Sequence, residues 1–263
     1  ALEALRNAPA PKGYGIRPDV DEAPTLEIEA LRNGPIWTSD RVGLILPTSL
    51  CSGQIARMIA ERLNDRSLGS DRGISRFVAL VHTEGCGVAG TTAEEMFSRS
   101  MVSYLLHPMV GPALLLEHGC EKTHNDYMRQ QLRSLDVEEQ DFGWASVQMD
   151  GGIDAVIQRV ESYFTDAVQQ LDPPEKGAVG IDALRVAILS SGPLPVGVAE
   201  TLEKLTRWIA GNGGLVVSPS NDALLTEPVF VDGGLVGIEP RPSLAYGERA
   251  TGPGLHIMES QTE

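Results

Sequence analysis

The sequence has no long apolar run, although 42% of its 263 residues are hydrophobic and 22% are charged. These proportions are typical of globular proteins. No apolar segment approaches the roughly 20 residues that cross a bilayer. A signal-peptide pattern of basic start, apolar middle and small-residue cleavage site is also missing. We therefore expect a protein without a membrane span that works in the cytoplasm, or in another reducing compartment such as an organelle matrix.

Basic residues are scarce. The chain has 21 Lys and Arg against 36 Asp and Glu, which gives a formal net charge of −15. Nucleic-acid binders normally carry a basic patch, so this balance argues against a nucleic-acid partner. The sequence also lacks a Walker motif and a Gly-x-Gly-x-x-Gly motif, which makes nucleotide binding a weak interpretation. The partner that we expect is a small molecule.

Cysteine is rare as well. The three cysteines, Cys51, Cys86 and Cys120, are odd in number and widely spaced, which is not the pattern of a disulfide framework. Four of the five histidines lie between residues 82 and 124. Cysteines scattered through a core would show no such clustering with histidine. We interpret this part of the chain, less than a third of its length, as the part that holds a site.

From residue 42 onward, apolar runs of strand length alternate with segments of helical periodicity. After the helix breaker 172-DPPEKG-177, a second set of such runs follows. The expected strands are 43–48, 77–82, 113–118, 144–150, 185–191 and 214–219, with short runs near 229–231 and 255–258. The expected helices are 52–64, 93–106, 124–135, 153–171 and 197–210, with Thr123 or Asn125 as the N-cap of the third.

This alternation predicts an α/β fold. We expect doubly wound, mainly parallel sheets with helices on both faces, in two lobes, plus an extended N-terminal arm. Residues 1–40 form the arm or linker, with a helical turn or two at most. Residues 41–172 form an α/β metal- and substrate-binding domain. Residues 178–263 form a second α/β lobe that we expect to be incomplete at its C-terminus.

Reactive side chains follow each strand of the first lobe. The turns read 47-PTSLCSG-53, 82-HTEGCG-87, 117-EHGCEKTH-124 and 150-DGG-152. In open parallel sheets, ligands bind at the carboxyl ends of strands where the strand order reverses, and neighbouring strands lie about 4.8 Å apart. We therefore predict that the three cysteines meet near one ion or substrate at this edge.

Simpler interpretations stand beside this one. A single cysteine near a strand is usually a small buried apolar residue. His82 and His118 can satisfy backbone groups at strand ends. The carboxylates of Glu84, Glu117 and Glu121 can be solvated loop charges as well as groups for metal or proton chemistry.

The segments 82-HTEGCG-87, 107-HP-108 and 115-LLEHGCEKTHNDYMR-129 resemble the altronate/galactarate dehydratase family of sugar-acid dehydratases. The stretch 48-TSLCSG-53 is similar to the entry into that family's catalytic region, and later segments resemble the second lobe of one branch. The resemblance covers roughly residues 41–263. It implies a lyase that removes water from a polyhydroxy acid with the help of Fe(II) and yields a 2-keto-3-deoxy acid.

This reaction removes a weakly acidic proton beside a carboxylate, so a cation that chelates the carboxylate and the α-hydroxyl would stabilise the developing charge. Thiolate and imidazole ligands suit Fe(II) or another divalent metal such as zinc. The expected metal ligands are Cys86, Cys120 and His82, followed by Cys51 and Glu121. The expected catalytic residues are His118 or His124 as the base, with Lys122 and Glu121. The expected substrate-binding residues are Ser52, Glu84, Lys122 and Asn125.

Three alternatives remain open. The cysteines can hold an iron–sulfur cluster that serves the same dehydration. The chain can be a non-catalytic, family-like subunit of a larger assembly. A cysteine can act as a nucleophile with a histidine base, such as Cys86 with His82. In each case we expect a homo-oligomer or part of a larger assembly.

Overall fold

A computed structural model describes residues 26–85, 87–234 and 243–260. The chain divides into two compact units, one comprising Glu29–Gly177 and the other taking in the described residues from Ala178 onward. Most of the arm predicted for residues 1–40 lies outside the described residues. No helix in the described ranges is long and apolar enough to cross a membrane.

The last part of the predicted arm forms a β-hairpin and not a helical turn. Strand β1 (Ile28–Asn33) pairs antiparallel with β2 (Ile36–Thr38), and Gly34 between them adopts a φ of 57°. The hairpin belongs to a three-stranded sheet of order β2-β1-β7, in which β7 is Lys176–Val179. Because the segment is short and its apolar and polar residues do not alternate clearly, its strands were not evident from the sequence.

The main sheet has four parallel strands. They are β3 (Val42–Pro47), β4 (Arg76–Ala79), β5 (Val110–Glu117) and β6 (Gly143–Ser146), in the order β4-β3-β5-β6. The helices that connect and follow them are α1 (Leu50–Asp65), α2 (Thr91–Leu105), α3 (Asn125–Arg133) and α4 (Ile153–Gln169). Short 3-10 turns occur at Ser70–Arg72 and Glu139–Asp141.

Helices cover both faces of this sheet. Since successive strand residues point to opposite faces, Ile45 packs with residues of α1 and α4, whereas Leu44 and Leu46 pack with residues of α2 and α3. All three strand residues are buried, which explains why the strand reads as a continuous apolar run. The doubly wound α/β prediction is confirmed.

The second unit contains a parallel sheet of order β10-β9-β8. Its strands are β8 (Arg185–Ala187), β9 (Leu215–Pro219) and β10 (Gly254–Met258), and its helices are α5 (Val198–Gly211) and α6 (Pro228–Gly234). The 3-10 turns Ile181–Ala183 and Ala223–Thr226 complete it. The apolar run 229–231, grouped with the strands in the sequence, is helical. Three apolar residues do not separate helix from strand, and Pro228 suits a first helical turn.

Candidate functional site

The strand order reverses between β3 and β5, and the candidate site lies at the carboxyl ends of these two strands. The first connection leaves β3 toward β4, and the next returns across β3 to β5. The backbone N–H of Thr48 donates to the carbonyl of Leu116 over 3.0 Å, so the turns after the two strands start side by side. This is the crevice where ligands bind in open parallel sheets.

Glu121 is the most heavily hydrogen-bonded side chain in this crevice. It is only 3% exposed. Its Oε1 accepts hydrogen bonds from the hydroxyls of Thr48 at 2.7 Å and Ser49 at 3.1 Å, and from the backbone N–H of His118 at 2.8 Å. Its Oε2 accepts from the backbone N–H groups of Gly119 at 2.7 Å and Cys120 at 2.9 Å. The carboxylate therefore ties the turn after β5 to the turn after β3.

These contacts also set the protonation state of Glu121. Burial by itself raises the pKa of the carboxyl group, but hydrogen bonds from its own backbone N–H, Thr48, His118 and Gly119 outweigh burial and lower the pKa to about 2. The group is ionised at neutral pH. With these five donors and its own N–H on two oxygens, the carboxylate has little room for a further ligand or proton, so it is suited to hold the turn.

The turn can wrap around this carboxylate because Gly119 adopts a φ of 114°. This conformation is rare for residues with a side chain. It aims three successive backbone N–H groups at one anion, which is a nest-like arrangement. A Cβ at Gly119 would also lie 3.1 Å from the side chain of Gln148, in the turn after β6.

The same turn brings a thiol and an imidazole together. The Sγ atom of Cys120 lies 3.3 Å from Nδ1 of His118. Cys120 is exposed, and His118 is half-buried. Ligand atoms of His118, Cys120 and Glu121 all lie within 4.8 Å of one another, a spacing that could hold a metal ion. Because the oxygens of Glu121 already accept five hydrogen bonds, Glu121 is the least suited of the three to bind a metal.

His82 has the environment of a metal-binding histidine. Its Nε2 lies 2.9 Å from the carbonyl oxygen of Pro47, so Nε2 carries the proton and Nδ1 keeps its lone pair. That Nδ1 is buried and has no hydrogen-bond partner among the described residues. Histidine ligands commonly donate their other N–H to a backbone carbonyl. In the neutral ring, the lone pair of this buried Nδ1 is a donor of the kind that suits a borderline metal such as Fe(II).

The other predicted metal ligands are placed less clearly. Cys86 lies outside the described residues. Cys51 is an exposed thiol in the first turn of α1, at the same edge of the sheet. Neither Cys51 nor His82 belongs to the close group formed by His118, Cys120 and Glu121. The cysteines at positions 51 and 120 are both exposed at the sheet edge and not buried in a core.

The start of α3 contains two more predicted site residues. The N-cap is His124, not Thr123 or Asn125, and its Nδ1 accepts the backbone N–H of Tyr127 at 3.3 Å. The neutral ring of His124 therefore carries its proton on Nε2. Asn125 donates from Nδ2 to the carbonyl of Ala145 at 3.0 Å, and its buried Oδ1 has no partner among the described residues.

The remaining predicted substrate-binding residues differ in their exposure. Lys122 and Glu84 are exposed. Ser52 is fully buried, and its hydroxyl donates to the carbonyl of Ser49 within the first turn of α1. Because of this burial, the Ser52 hydroxyl could reach a ligand only if the first turn of α1 rearranged. The backbone carbonyl of Glu84 accepts the N–H of Leu50 at 2.7 Å, which joins the segment after β4 to the start of α1.

Two residues with a clear role here were missed from the sequence. The hydroxyls of Thr48 and Ser49 donate hydrogen bonds to the Glu121 carboxylate. The two residues are adjacent in the sequence and directly follow β3. Their position could have indicated this role, since residues that follow a parallel strand lie at the carboxyl edge of the sheet, where ligands bind.

Comparison with known proteins adds two findings. The family described as D-galactarate dehydratase/altronate hydrolase, second domain, matches residues 41–172, which is half of the chain. Altronate dehydratase of Escherichia coli (strain K12) is 25% identical over 214 residues. That alignment covers 78% of this chain and 41% of the relative. The chain therefore spans less than half the length of this relative.

Proposed function

The chain belongs to the D-galactarate dehydratase/altronate hydrolase family, and from this premise we propose that it is a metal-dependent hydro-lyase. Its substrate is a sugar acid or a related hydroxy acid, and its product is a 2-keto-3-deoxy acid. The observation that carries the proposal is the thiol–imidazole pair of Cys120 and His118 at the switch point of the sheet.

We assign the metal to Cys120 and His82, with Cys86 and Cys51 as the further candidates. The support is the orphaned Nδ1 of His82 and the exposed sulfur of Cys120 at the sheet edge. A bound Fe(II) would supply positive charge beside the substrate carboxylate and α-hydroxyl, which makes the α-proton easier to remove.

The two histidines near the β5–α3 turn suit different roles in the elimination. With Cys120 as a thiolate, Nδ1 of His118 donates to the sulfur 3.3 Å away, and Nε2 keeps a lone pair for the α-proton. His124 has the reverse tautomer, because its Nδ1 accepts the N–H of Tyr127. Its Nε2–H can then donate a hydrogen bond to the C3 hydroxyl, and the proton that His118 takes from C2 leaves with that hydroxyl as water. His118 is therefore the proposed base, and His124 is the proposed hydrogen-bond donor to the leaving group.

Charged and polar groups around the turn would orient the acid. Lys122 is exposed, and it can pair with the substrate carboxylate. The orphaned Oδ1 of Asn125 can accept a substrate hydroxyl. Glu121 acts through the turn and not on the substrate, since it fixes the backbone that carries His118 and Cys120.

The proposal is tested with protein purified without oxygen. Iron content is measured in the wild type, Cys120→Ser, His82→Gln and the control His107→Gln. His107 is exposed and its Nδ1 accepts the backbone N–H of Met109. Formation of 2-keto acid from a panel of sugar acids is followed in parallel. We expect about one iron per chain, lost in the first two variants only; unchanged iron in both would refute the ligand assignment.

The same samples separate the alternatives. A charge-transfer band in the visible spectrum and inorganic sulfide would favour an iron–sulfur cluster over a single Fe(II). Iron binding without keto-acid formation on any acid would favour a non-catalytic subunit. The contact between Cys120 and His118 also fits a nucleophilic cysteine. For the metal site, bound metal should slow alkylation of Cys120, whereas a nucleophile would react at the same rate with or without metal.

A further inference from the structure

A cavity of about 450 Å³ opens beside the candidate site. It lies between the segment that follows β4 and one face of helix α2, with β3 beneath it. Its floor consists of the buried side chains of Leu46, Phe97 and Met101. The volume is within the range of about 300–1,000 Å³ that is typical of small-molecule pockets.

The walls of the cavity are mainly apolar. Leu80 and Val81 form one side, and Ala93 and Met96 of α2 line the other. Val81 is 46% exposed and Met96 is 39% exposed, so apolar surface remains open to solvent here. Apolar walls of this kind gain stability by taking up aliphatic or aromatic groups.

Polar groups in the cavity are few. His82 and Glu84 come from the segment after β4, and Ser100 and Tyr104 come from α2. One nitrogen of His82 is already engaged with the Pro47 carbonyl, and the ring packs edge-on against Phe97 at 5.6 Å. A chain of hydroxyl groups would leave several of them against apolar wall without hydrogen-bond partners, which is costly.

From this lining we propose that the acid bound by this chain carries an apolar substituent, which the cavity holds. This inference rests on the proposed function and specifies its substrate class. His82 both lines the cavity and is a proposed metal ligand, so the substituent lies beside the reacting carbons. The carboxylate of Glu84 repels the acid end of the ligand, which is directed toward the β5–α3 turn. The reaction removes H from C2 and OH from C3 as water, and the enol rearranges to the 2-keto acid.

Two pairs of acids test the inference. For binding, 2-hydroxyhexanoate is compared with 3-deoxyhexonate; neither has a C3 hydroxyl, so neither can be dehydrated. For turnover, 2,3-dihydroxyhexanoate is compared with altronate. Carbons C4 to C6 enter the cavity, and they carry no hydroxyl in 2-hydroxyhexanoate but one each in 3-deoxyhexonate. The Kd of 2-hydroxyhexanoate should therefore be lower by roughly tenfold or more. The Kd values are measured by calorimetry on the anaerobically purified protein.

Two variants locate the effect. Ala93→Phe fills the cavity from an exposed helix position, and Val81→Asp places a charge on the opposite wall. Each should weaken 2-hydroxyhexanoate binding at least tenfold. Ser103→Phe adds the same ring at an exposed position of α2 that does not line the cavity, and it should leave the Kd unchanged.

The outcomes separate this inference from the proposed function. Equal or tighter binding of 3-deoxyhexonate would overturn the inference, as would a Kd for 2-hydroxyhexanoate that stays within twofold in Ala93→Phe and Val81→Asp. Turnover of altronate with no preference for the apolar acid would overturn the inference and keep the lyase. Selective binding of 2-hydroxyhexanoate without turnover of either 2,3-dihydroxyhexanoate or altronate would support the cavity assignment and overturn the lyase.

Discussion

Replacing Glu121 with Gln should destabilise the protein in a way that depends on pH. Glutamine keeps one oxygen for Thr48, Ser49 and the N–H of His118. Its NH₂ group, however, would face the N–H groups of Gly119 and Cys120, which now bond to Oε2 at 2.7 and 2.9 Å. Two donors then oppose each other, and the buried charge that all five donors share is lost.

The magnitude follows from the pKa of Glu121. The carboxyl group has a pKa of about 2 in the folded protein, against the ordinary value of 4.5 for a glutamate side chain. At about 1.4 kcal/mol per unit, ionisation of Glu121 contributes about 3 kcal/mol to the free energy of unfolding. Because the folded pKa is the lower one, this contribution is complete above pH 4.5. It is lost as the pH falls from 4.5 toward 2.

The assay is urea unfolding of metal-stripped protein between pH 2.5 and 7, with Glu61→Gln as the control. Glu61 is exposed on α1, so its substitution should change the free energy of unfolding by less than about 0.5 kcal/mol. Glu121→Gln should be about 3 kcal/mol less stable than wild type at pH 7, and the difference should fall to about 1 kcal/mol at pH 2.5. Amide exchange at positions 118–120 should be faster in this variant.

A constant difference between wild type and Glu121→Gln across this pH range would refute the reasoning, because it would mean that the carboxylate charge is not what holds the turn. Unchanged amide exchange at 118–120 would contradict the hydrogen bonds directly.

Three further predictions follow from the same fold. Gly119→Ala should cost about 1–3 kcal/mol, measured by urea unfolding, because φ is 114° and Gln148 lies close; a cost below about 0.5 kcal/mol would contradict the left-handed turn. Phe164→Ala should cost about 3–5 kcal/mol while leaving iron content unchanged, since Phe164 is fully buried against Phe77. Lys122→Met should raise KM for the acid with little change in iron content, and an unchanged KM would exclude its pairing with the carboxylate.

The sequence was sufficient to predict which residues lie at the carboxyl edge of the four-stranded sheet. Four apolar runs, each followed by a reactive turn, are sufficient to predict a parallel sheet whose carboxyl edge carries Cys51, His82 and Cys120. The family resemblance, stated on the segments around residues 82–87 and 115–129, is confirmed by the match to residues 41–172.

The role of Glu121 could not be predicted in the same way. Its hydroxyl partners are 72 and 73 residues away in the chain, and its backbone partners depend on the left-handed conformation of Gly119. Neither the long-range contact nor the turn geometry leaves a periodic signal. The capping role of His124 was missed for a related reason, because Thr and Asn are the more common N-caps.

Iron located by anomalous scattering in crystals grown without oxygen tests the central claim most directly. The proposal predicts one peak at the carboxyl edge of the four-stranded sheet, within bonding distance of Sγ of Cys120 and Nδ1 of His82. Iron-loaded crystals whose peak lies away from both atoms, or whose peak persists in Cys120→Ser and His82→Gln, would contradict it.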